Sequence, residues 1–253
     1  GGSIACSCYY NTDWCLKLQK HAYGAVATSG SGPYTYTYTL SKAVPTKPSL
    51  TLERVRAPHD GPANSAETFA GCRITQLVRE VQAGGKVTFS AEVIAQEAAA
   101  RTTPTGALSY PSGAYLATHA DATTFVFNGT TFTDVQMHRL TIDKALARTP
   151  QLGSVNTAAP IQDGLGRATV EVTLRYYSNA LYVALQAGTV AAGSFTLTDG
   201  TRSIVDTYPR MRVIACTEPV SGAGIMEQSV TFELLDDATD GPVKTVVTNG
   251  VAP

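Results

Sequence analysis

Strict alternation between apolar and polar residues constrains the fold of this chain more than any other feature of its sequence. In residues 86–93, KVTFSAEV, every second residue is apolar, and the same pattern recurs in 167–174, RATVEVTL, and in 229–234, SVTFEL. Because side chains of a β-strand point alternately to its two faces, each segment is predicted to be a strand with one buried face and one wet face. Such strands pair antiparallel in a sandwich or barrel. The sequence therefore predicts an all-β protein with one or two short helices.

Residues 34–40, YTYTYTL, alternate tyrosine with threonine. We predict a strand whose tyrosine face packs against a core or a neighbouring subunit, and whose threonine face meets water or another polar surface. The predicted core or subunit-seam residues come from this tyrosine face and from the apolar faces of two alternating strands; they are Tyr34, Tyr36, Tyr38, Val87, Phe89, Val170 and Val172.

Two segments interrupt the β pattern and predict short helices. Residues 11–24, NTDWCLKLQKHAYG, start with the capping residue types Asn and Thr and end at a glycine. Residues 178–188, SNALYVALQAG, start at a serine and also end at a glycine. Both follow the composition of helix starts and stops.

The two predicted helices also belong to an internal repeat. Residues 9–19, YYNTDWCLKLQ, align without gaps with 176–186, YYSNALYVALQ, and each is followed by a glycine-containing loop and a strand, YTYTYTL in one case and SFTL in the other. We expect a duplicated unit, with the first copy in residues 1–100 and the second in 101–253. Two predicted strands precede the second helix, so we expect the counterparts of these strands to lie upstream of Gly1.

The charge balance argues against sequence-specific nucleic-acid binding. The chain has 19 basic and 20 acidic residues, a formal net charge of −1, and a charged fraction of only 15%. Sequence-specific nucleic-acid binding normally needs clustered Lys and Arg. The sequence also has no apolar run as long as a membrane span, so membrane insertion is not expected.

Motifs of enzyme chemistry are missing from the sequence. The four histidines lie in unrelated local settings, and no nucleophile elbow or glycine-rich phosphate loop follows a predicted strand. Five cysteines without regular spacing favour reduced thiols over a disulfide framework or a metal site. We therefore predict no catalytic residue, no metal ligand and no cofactor.

The order of segments resembles the tail tube (major tail) proteins of long-tailed bacteriophages. The similarity rests on GSGPYTYTYTLSK followed by PSLTLERV, on the hairpin FAGCRITQLVREVQAGGKVTFSAEVIAQ, on FTDVQMHRLTIDKAL, and on RATVEVTLRYYSNALYVALQAG. Together these segments span most of residues 9–249, with the Gly71-Cys72 and Gly84-Gly85 pairs as the best matches. Tyr36 stands where the family often has histidine, so that position indicates the fold and no specific role.

The resemblance implies a building block of a hollow tube. Subunits would form a ring of six, or a ring of three if the chain is duplicated, and each would contribute strands to a shared inner β-barrel. The implied partners are further copies of the chain, the tape measure protein, the tail terminator and distal tail proteins, and double-stranded DNA in transit. The implied location is the virion tail, after assembly in the host cytoplasm. The expected lumen-facing residues, from the wet faces of two strands, are Thr88, Ser90, Glu92, Thr169, Glu171 and Thr173.

Other functions remain open from the sequence alone. The tube of a contractile injection or secretion system would have the same fold. A carbohydrate-binding or adhesive β-sandwich would use the tyrosines of residues 34–38 as an exposed stacking platform. A glycosidase would need two carboxylates that face each other across a cleft.

Overall fold

The computed structural model describes residues 1–10, 13–41, 49–56, 65–101, 115–154, 156–176, 178–217 and 227–249. It confirms the predicted all-β fold with two short helices. The helices are α1 (Asp13–Tyr23) and α2 (Ala180–Ala187), and a 3₁₀ turn lies at His119–Asp121. The strands are β1 (Gly2–Ser7), β2 (Gly24–Ser29), β3 (Tyr34–Leu40), β4 (Leu50–Arg56), β5 (Ser65–Gln82), β6 (Thr88–Ile94), β7 (Glu97–Arg101), β8 (Ala122–Phe127), β9 (Thr130–Phe132), β10 (Val135–Asp143), β11 (Leu146–Pro150), β12 (Thr157–Gln162), β13 (Arg167–Arg175), β14 (Val190–Thr198), β15 (Ser203–Thr217), β16 (Glu227–Leu234) and β17 (Lys244–Asn249).

The first layer of the fold is an antiparallel run of seven strands in the order β1-β6-β5-β10-β13-β16-β15. The strands β5 and β15 contribute only their second halves, residues 73–82 and 211–217. This layer contains all three of the segments whose alternation predicted two-faced strands. Their apolar residues lie on one common face, because residues directly opposite one another in neighbouring strands point to the same side. Phe89, Val170 and Phe232 belong to one such row of opposite residues.

The second layer runs in the order β9-β8-β14-β15-β17-β3-β2, and it uses the first half of β15. The strand β15 therefore passes from one layer into the other, and its pairing with β16 shifts register between Val213 and Ala215. Such an irregularity bends a strand and increases its twist. The C-terminal strand β17 pairs with β3, which ties the end of the chain to its beginning.

The two layers face each other across an aromatic core. Phe232 of β16 contacts Phe125 and Phe127 of β8, with ring centroids 5.7 and 5.1 Å apart. His138 of β10 stacks on Phe195 of β14, at 3.7 Å between the centroids. Burial of these apolar faces supplies most of the stabilisation of such a sandwich, at about 25 cal/mol per Å².

Two smaller elements extend the sandwich at one end. The first half of β5 forms a three-stranded ladder with β4 and β7. The strands β11 and β12 form a separate hairpin within residues 144–166, which the sequence had predicted only as a long loop. Thr157 docks this hairpin on the β6–β7 junction, because its backbone N–H donates to the carbonyl of Gln96 at 3.0 Å.

Glycine positions match several predicted boundaries. Asn128 and Gly129, at the β8–β9 turn, have φ angles of 50° and 74°, as a tight hairpin requires. Gly188 ends α2 in the left-handed conformation, with its N–H donating to the last carbonyls of the helix. The predicted start of the first helix, Asn11 or Thr12, lies outside the described residues.

The topology contains two groups of elements in the same order. In the first layer the strands β1-β6-β5 lie on one side of β10 and the strands β13-β16-β15 on the other. In this order β13 corresponds to β1, β16 to β6 and β15 to β5. Helix α1 follows β1 in the chain, and α2 follows β13. The strand after α1 is β2, whereas SFTL belongs to β14, the strand after α2. By this order YTYTYTL corresponds to the start of β15 and not, as the sequence alignment suggested, to SFTL.

Candidate functional site

The six residues predicted to face a lumen share one face of the first layer. We call this surface the polar face; in the paired registers its charged members are Arg73, Glu80, Glu92, Arg139, Asp143, Arg167, Glu171, Arg175, Arg212, Glu227 and Glu233. Glu92 is exposed, and the other five predicted residues, Thr88, Ser90, Thr169, Glu171 and Thr173, are half-buried.

Rows of paired residues carry the polar face without a break across the layer. One row runs from Ser7 of β1 through Thr88, Glu80, Arg139, Glu171 and Thr231 to Ala215 of β15. The opposite face of the same strands lies in the core: Phe89 is 1% exposed, and Val170 and Val172 are fully buried. Val87, just before β6, is also fully buried. One face of the layer is therefore a mainly polar wall, which also includes Val78, Ile94 and Met137, and the other seals the sandwich.

Three arginines of the polar face form ion pairs with glutamate side chains. Arg212 and Arg167 donate to the two carboxylate oxygens of Glu233 at 2.8 and 3.1 Å. These hydrogen bonds, that of Arg212 first, lower the pKa of Glu233. Arg139 forms a longer ion pair with Glu80, at 3.7 Å between Nε and Oε2. The charged members of the face number six acidic and five basic, a net charge of −1.

Both lateral edges of the polar face are open in the part of the chain that the structure describes. There, β1 forms a ladder with β6 alone, and residues 213–217 of β15 form a ladder with β16 alone. An open strand edge presents backbone N–H and C=O groups that pair readily with another strand. The polar face can therefore continue into a neighbouring chain on either side.

A buried polar network lies behind the polar face, between the two layers. Arg79 of β5 forms an ion pair with Asp206 of β15, and the side chains are 3% and 1% exposed. Thr245 and Tyr208 donate to the carboxylate of Asp206 at 2.6 and 3.3 Å. Because the Tyr208 proton goes to Asp206, His138 must donate from Nε2 to the Tyr208 oxygen, 3.1 Å away.

The hydrogen bonds of the network form two chains that both end at the Asp206 carboxylate. Tyr23 of α1 donates to the Thr245 hydroxyl at 2.6 Å, since the Thr245 proton is already given to Asp206. Burial, followed by the nearby Arg79 charge, lowers the pKa of His138 well below its ordinary range, so this imidazole is neutral. Burial likewise raises the pKa of Tyr208. This cluster joins one helix and four strands from both halves of the chain, and its side chains are almost fully buried, as expected of a structural network.

The sequence contained a signal for this network that pattern reasoning missed. Arg79 lies in phase with Leu77 and Val81, and Asp206 lies in phase with Ile204 and Tyr208. A charged residue at an apolar position of an alternating strand is costly unless a partner neutralises it. Two such residues of opposite sign in different strands predict a buried pair, although not which strands meet.

The tyrosine strand lies inside the second layer, between β17 and β2. Tyr38 and Tyr36 are 1% and 6% exposed, and Tyr34 is half-buried against the same core. Tyr38 packs against Tyr23 at 5.9 Å between ring centroids. A stacking platform for sugars needs exposed rings, so Tyr36 and Tyr38 do not form the exposed platform that the carbohydrate-binding alternative requires.

The described residues contain no group of three or more His, Cys, Asp or Glu side chains placed to hold a metal ion. Of the helices in the described ranges, none is both long and apolar enough to cross a membrane.

A two-layered β protein with one mainly polar sheet face and two open edges has the architecture of a structural building block. The chain belongs to the phage tail tube protein family, whose model matches residues 1–234. A comparison with curated proteins gives no match. The family is structural and is not an enzyme family; its members are components of the virion tail that self-assemble into a tube.

Proposed function

We propose that copies of this chain join edge to edge into rings, and that the stacked rings form a tube whose bore is lined by the polar face. The observation that carries the proposal is the seven-stranded layer, polar on one face, buried on the other and open at both edges. Joining such layers edge to edge closes a barrel and removes the open edges. In the barrel, Thr88, Ser90, Glu92, Thr169, Glu171 and Thr173 face the lumen.

The charge of the polar face supports a role as a conduit for DNA. A wall that bound DNA would use unpaired Arg and Lys to neutralise phosphates and release counterions. On the polar face acidic and basic groups are nearly balanced, and Arg139, Arg167 and Arg212 are paired with glutamates. The paired registers place no aromatic side chain on this face that could stack on bases. DNA would therefore pass without being held.

Strand direction sets a condition on how the ring closes. All seven strands alternate in direction, so the two edge strands, β1 and β15, run the same way. Rotation about the ring axis, which runs along the bore, leaves the direction of each strand along that axis unchanged. Direct pairing of β1 with a neighbour's β15 would therefore be parallel. An eighth strand beside β1, in the place that β10 has beside β13, would make the barrel antiparallel throughout.

The internal repeat supports a ring of three chains. Residues 1–100 would supply one tube unit and 101–253 the other, so that three chains give six quasi-equivalent units. The tape measure protein would fill the bore during assembly in the host cytoplasm, and terminator and distal tail proteins would bind the tube ends. A ring of six single units is the alternative, and the mass of an isolated ring distinguishes the two.

Thiol labelling of the assembled protein tests the proposal. Glu92→Cys and Glu171→Cys place thiols on the polar face, on strands from the two halves of the chain. Thr201→Cys, in the exposed β14–β15 turn, is the matched control. The reagent is a maleimide linked to a polymer that is too wide to enter the bore, and it should label all three sites in dispersed chains. Mass spectrometry of the peptides distinguishes these labelled sites from the native cysteines.

Assembly should protect the two polar-face thiols and leave the Thr201→Cys thiol reactive. Equal labelling of all three sites in assembled particles would place the polar face on the outside. A wild-type chain that forms no ring or tube under electron microscopy would also overturn the proposal.

A further inference from the structure

Helix α2 is the less charged of the two helices and yet the more exposed. Its sequence, ALYVALQA, has no ionisable group apart from one tyrosine, and Leu181 is its one buried residue. Tyr182 and Val183 are 41% and 49% exposed. Helix α1, DWCLKLQKHAY, carries two lysines, a histidine and an aspartate, but Leu18, Ala22 and Tyr23 are each 1% exposed. A helix that is apolar on most sides is normally buried.

The positions of the helices in the repeat explain this inversion. Helix α1 contacts β5, and the second halves of β5 and β10 pair with one another. Helix α2 contacts β15, the counterpart of β5, at the open edge of the first layer. In the chain α2 connects the end of β13 to Val190, which is paired with Arg212 of β15. The chain thus covers α1 and leaves α2 beside the edge where a neighbour would join.

The opposite edge of the layer carries a matching recess. A largely apolar groove of about 490 Å³ lies beside β1. Its apolar lining residues include Ile4, Leu52, Phe69, Cys72, Val93 and Ala95, and the charged Glu53 and Arg54 also line it. The groove and α2 therefore flank the two open edges. Edge-to-edge joining of two copies brings the α2 side of one to the β1 side of the next.

We infer that the exposed face of α2, formed by Tyr182, Val183 and the adjoining Val190, is the lateral contact surface for the β1 side of a second copy of this chain. This inference rests on the proposed ring assembly and adds the surface that drives it. Burial of three large apolar side chains supplies a hydrophobic contribution that backbone pairing at the sheet edge alone lacks. The occupant is a copy of the chain because both halves of the contact lie on it, at edges that face each other in a ring.

Substitution of Val183 by lysine tests this surface. Val183→Lys should raise the protein concentration needed for ring formation about tenfold or more, a change equivalent to about 1.4 kcal/mol. Leu165→Lys is the control, since Leu165 is 95% exposed and lies beside β10 and β13, in the middle of the layer and not at a lateral edge. Both variants should fold like the wild type, because exposed substitutions have small effects on stability. Sedimentation velocity and electron microscopy measure the outcome.

A photo-crosslinking phenylalanine analogue at position 183 identifies the partner surface. In assembled protein it should capture a peptide from residues 1–5 or 50–54 of another copy. Ring formation by Val183→Lys at the wild-type concentration, or capture only of other surfaces, would overturn this interface while leaving the ring proposal intact. A wild-type chain that stays monomeric at every concentration would overturn the ring proposal and this interface together.

Discussion

The buried pair of Arg79 and Asp206 provides the sharpest test of how the two layers are held together. Replacing Arg79 by methionine keeps the aliphatic length of the side chain but leaves the Asp206 carboxylate in the core without its counter-charge. Removing one partner of a buried ion pair typically costs about 3–5 kcal/mol. For a chain of this size, that corresponds to a decrease in melting temperature of about 6–20 °C.

The control is an arginine of the same layer in a different environment. Arg139 pairs with Glu80 at 3.7 Å, and its side chain is 44% exposed. An exposed pair of this kind contributes about 0–1 kcal/mol, so Arg139→Met should lower the unfolding free energy only slightly. The double variant Arg79→Met/Asp206→Asn removes both charges, and it should recover most of the stability lost in Arg79→Met.

Urea denaturation followed by circular dichroism measures these differences. The samples must be dilute enough to remain monomeric, because assembly itself stabilises the folded chain. If Arg79→Met were no less stable than Arg139→Met, or if the double variant lost more than Arg79→Met, the inferred burial and charge pairing of this network would be wrong.

Three further predictions concern the core. The neutral, buried His138 takes up a proton only on unfolding, so the unfolding free energy should fall as the pH drops below about 6.5. The fall should be steeper in the wild type than in His138→Gln, and parallel pH profiles of the two in urea denaturation would contradict this. Tyr38→Ala should cost about 3–5 kcal/mol in the same denaturation assay, and half-buried Tyr34→Ala clearly less; equal losses would contradict the burial difference. Gly193→Ala would bring a Cβ within 2.7 Å of the Val126 carbonyl oxygen and against Met211, so it should lower the melting temperature, whereas Gly2→Ala, with no atom within 4 Å of its Cβ, should not; equal melting temperatures would refute the close packing.

Period-two patterning predicted the strands of the first layer well. The predicted segments 86–93, 167–174 and 229–234 correspond to β6, β13 and β16, with bounds that differ by at most two residues. Alternation reports which side chains share a face, so it also grouped Thr88 with Ser90 and Glu92, and Thr169 with Glu171 and Thr173. That grouping needs only local geometry.

Strand neighbours could not be predicted in the same way. The pairing of β17 with β3 joins residues about two hundred positions apart, and alternation has the same form whatever strand lies alongside. The incorrect match of YTYTYTL with SFTL arose from this limit, because several strands carry equivalent patterns. The pair of Arg79 and Asp206 was missed for the same reason, since each residue has meaning only when the two strands are brought together.

A cryo-electron microscopy reconstruction of the assembled protein tests the central claim most directly. The account predicts a tube in which the strands of neighbouring copies form one barrel, with Thr88, Ser90, Glu92, Thr169, Glu171 and Thr173 facing the bore. It also predicts Tyr36 and Tyr38 in the wall and not at either surface. An assembly whose bore is lined by the second layer, or in which the edges of β1 and β15 remain unpaired, would contradict it.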